Sequence, residues 1–246
     1  MQIGGYKFDS KSPVGPSPPL RTLLRDPAMY GILASNVLVL AAAIWQQWPL
    51  TLMLWPYLAQ YAASGWYSHR RLLALRRFST EGLTHYWRPV EPTQASQHDI
   101  ADAFAGYYGS TFGAFLISML ILSMLGAFLL PRSGSDWLLV IALGVSFALS
   151  ERTSHRVRLA VDTQGEPNIG ALLFMAEARV MAILVTLVVG GSADLIAAQR
   201  GQSVVAASTW ALLVFTALKT LADASLFVAE QRSLQAAPAG PGREPG

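Results

Sequence analysis

The sequence predicts an all-α fold, an integral membrane six-helix bundle built as three transmembrane hairpins. Of its 246 residues, 52% are hydrophobic and only 13% are charged, whereas soluble domains carry about 25% charged residues. The apolar residues fall into six blocks, and a block of about 20 residues can cross a hydrocarbon core about 30 Å thick. The arginines lie almost entirely between alternate blocks, which is the distribution that the positive-inside rule produces.

The charge balance fits loops beside a membrane and gives no reason to expect nucleic acid as a partner. The net charge is +3 and the pI is about 9.3, but the basic residues lie next to the predicted spans. The chain contains no cysteine. This excludes disulfides, thiolate catalysis and cysteine-ligated metals.

The first part of the chain is expected to be a tail followed by a helical hairpin. Residues 1–27 include a stretch rich in glycine, proline and serine and predict a mobile cytoplasmic tail. The six-span membrane domain is expected over residues 28–228, with span one at about Met29–Trp48 and span two at about Leu50–Ser68. Pro56 lies in span two, where its missing N–H should kink the helix.

A cytoplasmic loop over residues 69–105 is expected to join spans two and three. Leucines and arginines over residues 72–83 predict a short amphipathic helix on the membrane surface. Prolines over residues 88–97 predict a linker.

Span three is expected at about Gly106–Leu130. Span four, Trp137–Ser150, is the shortest apolar block, at roughly 21 Å for 1.5 Å per residue. It crosses the bilayer only if the helix continues past Arg152 with its arginines reaching the headgroups; the alternative is a re-entrant or surface helix. The remaining elements are span five at about Ala171–Val189, span six at about Val204–Val228, and a disordered cytoplasmic tail over 229–246.

The positions of the basic residues predict the orientation. Of the 18 lysines and arginines, only Arg132 and Arg200 lie in loops on the side opposite the others, and Arg179 and Lys219 lie within spans. The sequence therefore predicts a multi-pass protein of the bacterial inner membrane with both termini in the cytoplasm.

Ionisable residues inside spans are the candidate site, because a lone charge in hydrocarbon is costly and usually has a role. The four candidates are Glu177, Arg179, Lys219 and Asp223. Lys219 and Asp223 are four residues apart and can pair on one helix face. The four residues are interpreted either as a structural ion-pair cluster joining spans five and six or as a ligand or proton site. The single polar residues Asn36 and Gln60 are expected to form interhelical hydrogen bonds.

No metal or cofactor is expected. The four histidines are His69, His85, His98 and His155, and none lies in the middle of a predicted span, where a haem would be held between helices. Their spacing matches no metal-ligand pattern.

Two functional hypotheses follow. The first is a non-enzymatic carrier or a subunit of a membrane complex, because no catalytic motif is recognisable. The alternative is a small integral-membrane enzyme or lipid-binding protein that holds an anionic headgroup at the cytoplasmic face, using loop 69–105 and the arginines around 152–158. The expected partners are the lipid bilayer, its anionic headgroups, and a second copy of the chain or another subunit of a membrane complex.

Short stretches in spans four to six carry a resemblance. They are Gly144–Phe147 (GVSF), Arg179 and Leu218–Asp223 (LKTLAD), and weaker matches lie at Asn36, Trp55–Gln60 and Tyr108–Gly109. In these stretches the chain resembles an uncharacterised family of multi-pass bacterial and archaeal membrane proteins, a domain of unknown function. Because that family has no assigned activity, the resemblance implies architecture only.

The chain departs from the resembled family at four positions. Family members usually carry histidines in the motifs of spans three, four and five, where this chain has Tyr107, Leu143 and Leu184. An acidic position in span two is occupied by Ala59. The resemblance therefore implies that any metal or proton chemistry using those groups is lost here.

Overall fold

The computed structural model describes residues 2–8, 27–48, 50–124, 133–163, 165–178, 212–214, 216–221, 223–225 and 228. Most of these residues are helical, which confirms the predicted helical class. The helices are α1 (Pro27–Trp45), α2 (Leu54–Ala74), α3 (Gln94–Met124), α4 (Gly134–Asp162), α5 (Ile169–Ala178) and α6, the helical residues between 212 and 228.

Helices α2 and α3 are antiparallel. Leu58, near the start of α2, clusters with Met119, near the end of α3. At the opposite ends, the Gln97 side-chain amide donates hydrogen bonds to the carbonyl oxygens of Leu72 and Leu75 at 2.6 and 3.0 Å. Gln97 therefore adds hydrogen bonds to two carbonyls at the end of α2, where the helix leaves carbonyls without a full set of partners, and it ties the start of α3 to the end of α2.

Helices α2 and α4 are parallel and form the most extensive helix pair of the described residues. Trp55 and Trp137 lie near the two helix starts, with ring centroids 6.3 Å apart. Arg71 and Asp162 form an ion pair at the two helix ends. Between these contacts, Gly144 lies against the side chain of Ala59, so that the two backbones approach closely.

Helix α1 runs opposite to both α4 and α6. Its Asn36 contacts Asp223 of α6, and Met29 packs beside Val228. The Trp48 indole, just after α1, donates to the Asp136 carboxylate in the first turn of α4 at 2.8 Å. Helices α2, α4 and α6 therefore run in one direction, and α1 and α3 run in the other.

Helix α4 is continuous through Arg152 to Asp162. It begins with a capping box, in which the Ser133 hydroxyl accepts from the Asp136 N–H and the Asp136 carboxylate accepts from the Ser133 N–H. The apolar block of span four is thus one part of a helix of 29 residues.

Pro56 does not interrupt a helix as the sequence analysis expected. Helix α2 begins at Leu54, so Pro56 lies in the first turn, where the N–H groups have no intrahelical partner. A 3-10 turn over Leu50–Met53 precedes it. The proline helps to start the helix and removes no hydrogen bond from its interior.

A small antiparallel sheet forms where the sequence predicted a tail and a loop. Its strands, in spatial order, are β1 (Gln2–Ile3), β2 (Tyr6–Phe8), β3 (Leu83–His85) and β4 (Arg88–Pro89). Lys7 pairs with Gln2 on one side and with Thr84 on the other. The prediction of a mobile tail is therefore wrong for residues 2–8, and residues 9–26 lie outside the described residues.

The sheet packs against the helices because several of its side chains are buried in the core of the bundle. Ile3, Tyr6 and Phe8 are buried in the same cluster as residues of α2, α3 and α4. The Phe8 ring covers Gly170 so closely that a Cβ there would lie 2.3 Å from it. The turn between β1 and β2 uses Gly4 and Gly5, both at positive φ.

The predicted surface helix and linker are also replaced by other structure. Helix α2 ends at Ala74 and Leu83 lies in β3, so residues 72–74 complete α2 and residues 75–83 form no helix. Arg88–Pro89 forms β4, and α3 begins at Gln94, well before the predicted start of span three at Gly106.

Among the described residues, two helices are long and apolar enough to cross a membrane, Gln94–Ile121 and Gly134–Asp162. Met29–Trp45 and Ile169–Ala178 are apolar but shorter. These helices give a weak indication of membrane association, and the six-span bundle stays a prediction. Residues 125–132, most of predicted spans five and six, and the tail over 229–246 lie outside the described residues.

Gly65→Ala should destabilise the protein, because the added Cβ would lie 2.0 Å from the Tyr108 ring. Overpacking of this kind costs about 1–3 kcal/mol. Gly109→Ala is the matched control, since a Cβ there meets nothing within 4 Å and alanine favours the helix by up to about 1 kcal/mol. Melting of the purified variants in detergent measures both effects. Equal melting temperatures for the two variants would contradict the close approach of α2 and α3.

Candidate functional site

Lys219 and Asp223 form an ion pair within α6. The Lys219 ammonium lies 2.5 Å from Oδ2 of Asp223, and only 1% of the lysine side chain is exposed. Asn36 of α1 donates its side-chain N–H to the same carboxylate oxygen at 3.3 Å. The ammonium also lies 5.0 Å from the ring centroid of Tyr57 in α2, within the range of a cation–π contact. The pair is therefore held by three helices.

A polar cavity of about 40 Å³ lies beside this ion pair. Residues of α1, α2, α3, α4 and α6 line it. The charged lining residues are Glu151, Arg158, Lys219 and Asp223. Gln60 supplies an amide group, and Ser64 supplies a buried hydroxyl. At about 10–15 Å³ for each water position, the cavity holds about three water molecules. Polar groups of α1, α2, α4 and α6 thus converge on a space large enough for a few water molecules.

The described residues that line the cavity include two positive and two negative side chains. Arg158 and Glu151 lie on α4 with a nitrogen–oxygen distance of 3.8 Å, and both side chains are mostly buried. Lys219 and Asp223 supply the second pair. The charges of the described lining residues therefore balance, and both signs of charge face the cavity.

Several buried polar atoms near the ion pair have no hydrogen-bond partner among the described residues. They include Oε1 of Gln60 and Oγ of Ser64, which line the cavity, and Oδ1 of Asn36. A buried polar atom without a partner costs about 1–3 kcal/mol. These oxygens are therefore expected to meet water or a ligand in the cavity.

The structure places the predicted site residues in two locations. Lys219, Asp223 and Gln60 line the cavity, and Asn36 contacts Asp223 beside it. Glu177 instead accepts a hydrogen bond from the Tyr107 hydroxyl of α3 at 3.2 Å and does not line the cavity. Arg179 lies outside the described residues. Among the described residues, Lys219 and Asp223 contact α1 and α2, and the expected cluster joining spans five and six stays a prediction.

Sequence reasoning missed Glu151 and Arg158 as cavity residues. Both come after the apolar block Trp137–Ser150; Arg158 was counted among the arginines at the cytoplasmic face, and Glu151 was not singled out. Because α4 continues through them, they face the interior at helical spacing from Phe147, which is buried against Tyr57. A period of 3.6 residues extended past Ser150 is the signal that would have found them.

The ion pair between Arg71 and Asp162 was also missed. Arg71 donates from Nε to Oδ2 at 2.5 Å and from Nη2 to Oδ1 at 2.9 Å. The Asp162 side chain is fully buried and that of Arg71 is 9% exposed. Two parallel bonds fix both side chains. Arg71 belongs to the predicted loop 69–105, whose residues were candidates for headgroup binding. Its guanidinium group instead binds the buried Asp162 carboxylate.

The outer faces of the helices carry large apolar side chains. Examples are exposed positions on α1, α3 and α4: Val37, Leu38, Ile117, Leu120, Ile121, Leu138, Ile141 and Val145. The interior of the same bundle holds Asn36, Ser64 and Lys219. The described helices are therefore more apolar outside than a soluble domain usually is.

Aromatic and basic side chains meet on the sheet. The Tyr6 ring stacks on His85 with centroids 4.3 Å apart, and burial, aided by the nearby Asp99 carboxylate, raises the pKa of the Tyr6 hydroxyl. The turn between β3 and β4 exposes Tyr86 and Trp87, both at positive φ. Lys7 lies over the Trp87 ring at 4.7 Å.

Residues 19–240 match the sequence profile of a family described as a family of unknown function, DUF6498. Because the match covers most of the chain, the protein belongs to this family. The expectation of a family without an assigned function is confirmed, and the particular resemblance in spans four to six stays a prediction. No curated protein and no solved structure matches the chain.

Arg71→Met should lower the free energy of unfolding by about 3–5 kcal/mol, because it leaves the buried Asp162 carboxylate without its partner. The double variant Arg71→Met/Asp162→Leu should recover part of that loss, since no buried charge remains. Arg76→Met, at an exposed position, is the control and should change stability by less than about 0.5 kcal/mol. Thermal or denaturant melting in detergent gives the comparison. A double variant less stable than Arg71→Met would rule out the uncompensated charge as the cause.

Proposed function

We propose that the chain is a multi-pass protein of the bacterial inner membrane and acts as a non-enzymatic carrier for a small polar solute. In this proposal, α1 to α4 and α6 each form or belong to one transmembrane span, α5 begins another, and both termini lie in the cytoplasm. The solute binds in the cavity beside Lys219 and Asp223.

The observation that carries the proposal is the arrangement of polar and apolar side chains. Charged and amide groups lie inside the helix bundle, whereas leucine, isoleucine and valine side chains lie outside. Exposing such an apolar outer surface to water is unfavourable, whereas contact with lipid tails carries no such cost. In membrane proteins, ionisable residues that face the interior of a bundle commonly mark solute or ion paths.

The helix directions support the predicted topology. A chain of three hairpins requires spans two, four and six to run in one direction and spans one and three in the other. Helices α2, α4 and α6 share one direction through the contacts Arg71–Asp162 and Asn36–Asp223, together with the antiparallel contacts of α1. The arginines that are exposed near the ends of α2 and α4 include Arg70, Arg76, Arg77 and Arg156, as expected at a cytoplasmic face.

Binding of an anionic headgroup is the second candidate function. The exposed arginines Arg70, Arg76, Arg77 and Arg156 favour it, because guanidinium groups bind phosphate oxygens well. The same arginines are what the positive-inside rule requires in any case. The positive-inside rule does not require the charged and amide groups at the cavity, so the carrier is the stronger candidate.

Cysteine labelling tests the topology, and the absence of native cysteine gives a clean background. Ser135→Cys, at the exposed start of α4, should react with an impermeant maleimide added to intact spheroplasts. Glu91→Cys and Thr163→Cys, exposed at the other end of the bundle, should react only after the membrane is opened. Labelling of Glu91→Cys in intact spheroplasts would contradict the cytoplasmic position of the sheet.

Transport by purified protein in liposomes tests the carrier. The vesicles are preloaded with unlabelled amino acids, sugars or short carboxylic acids, and exchange with the same labelled solute is followed. At least one solute class should exchange faster than in protein-free vesicles, and Lys219→Met should abolish that exchange. Ser225→Ala, exposed on α6, should leave it unchanged. No exchange for any class would contradict the carrier.

A further inference from the structure

We propose that the cavity binds a small zwitterion, a molecule that carries one ammonium and one carboxylate group and is about the size of glycine or alanine. The inference rests on the proposed function, because it names the solute class for the same cavity. Three properties of the cavity lead to it: the balance of its charges, the chemistry of its unpartnered oxygens, and its volume.

The balance of charge favours a ligand without net charge. Lys219 and Arg158 are positive, and Asp223 and Glu151 are negative. A cation or an anion bound among them would leave one uncompensated charge in a site of low dielectric constant, which is costly. A zwitterion adds no net charge. Its carboxylate can contact the positive side chains, and its ammonium group can contact the negative ones.

The unpartnered oxygens suit an ammonium group. An ammonium donates three hydrogen bonds, and the cavity presents acceptors in Oε1 of Gln60, Oγ of Ser64 and the Asp223 carboxylate. The ligand carboxylate has Lys219 and Arg158 as partners in the same lining. Lys219 has three N–H donors, so it can hold Asp223 and a ligand carboxylate together.

The volume restricts the ligand to the smallest molecules of this class. A cavity of about 40 Å³, or about three water positions, is on the scale of the smallest amino acids and has no room for a long side chain. The Phe147 and Tyr108 side chains form an apolar part of the lining, which suits the methyl group of alanine. Leucine should therefore bind poorly.

Binding to the purified full-length protein in detergent tests the inference. Isothermal calorimetry is run with glycine and L-alanine, with acetate and methylammonium as ligands that carry only one of the two charges, and with L-leucine. Glycine and alanine should bind at least tenfold more tightly than the other three. Acetate or methylammonium binding as tightly as glycine would overturn the zwitterion, and so would the absence of any glycine or alanine binding.

Two variants test the location. Gln60→Leu removes an unpartnered oxygen without touching either ion pair, so it should fold and bind glycine at least tenfold more weakly. Ser118→Ala removes an exposed hydroxyl of α3 and should bind glycine as the native chain does. Unchanged glycine affinity in Gln60→Leu would overturn the assignment to this cavity.

The two proposals fail in different ways. Glycine binding without glycine exchange in liposomes contradicts the carrier and leaves the zwitterion site standing. Exchange of another solute class by a protein that binds no glycine or alanine contradicts the zwitterion site and leaves the carrier standing.

Discussion

The contact between α2 and α4 sets the arrangement of the other described helices, and the Arg71–Asp162 ion pair fixes its register. A buried ion pair cannot shift by one helical turn without leaving a charge unpaired. With that register fixed, Gly144 lies against Ala59, and the remaining helices pack on this pair. Helix α1 attaches to α4, α3 attaches to α2, and the cavity lies where all of them meet α6.

Features that are local in the sequence were predictable. The apolar blocks predicted most of the helices, because a helix needs only neighbouring residues for its hydrogen bonds. The four-residue spacing of Lys219 and Asp223 predicted that they can pair on one helix, and they do. The polar residues Asn36 and Gln60 stood out in apolar surroundings, and both lie at or beside the cavity. The spacing of residues along the chain did not predict which other helices contact Asn36 and Gln60.

Features that depend on distant residues were not predictable. Arg71 and Asp162 are 91 positions apart, and each reads alone as one more polar residue at a helix end. Strands β1 to β4 are two or three residues long, too short for a visible alternation of apolar and polar residues. The turn after β3 gives no signal either, because Tyr86 and Trp87 adopt positive φ, where glycine or asparagine is the usual marker.

The Ser64 hydroxyl, which lines the cavity, differs in its hydrogen bonding from the hydroxyls of Ser118 and Thr153 on the outer faces. A serine or threonine in a helix usually satisfies its hydroxyl with the carbonyl four residues earlier, and Ser118 and Thr153 do so on the outer faces. Ser64 is buried to a greater degree than either and has no partner among the described residues. Ser64 lines the cavity together with Gln60, whose side-chain oxygen also has no hydrogen-bond partner, and with the Lys219–Asp223 ion pair of α6. The Ser64 hydroxyl could bond its own helix backbone and does not, and the Gln60 oxygen can only accept, so both are expected to find their partner in the cavity that they line.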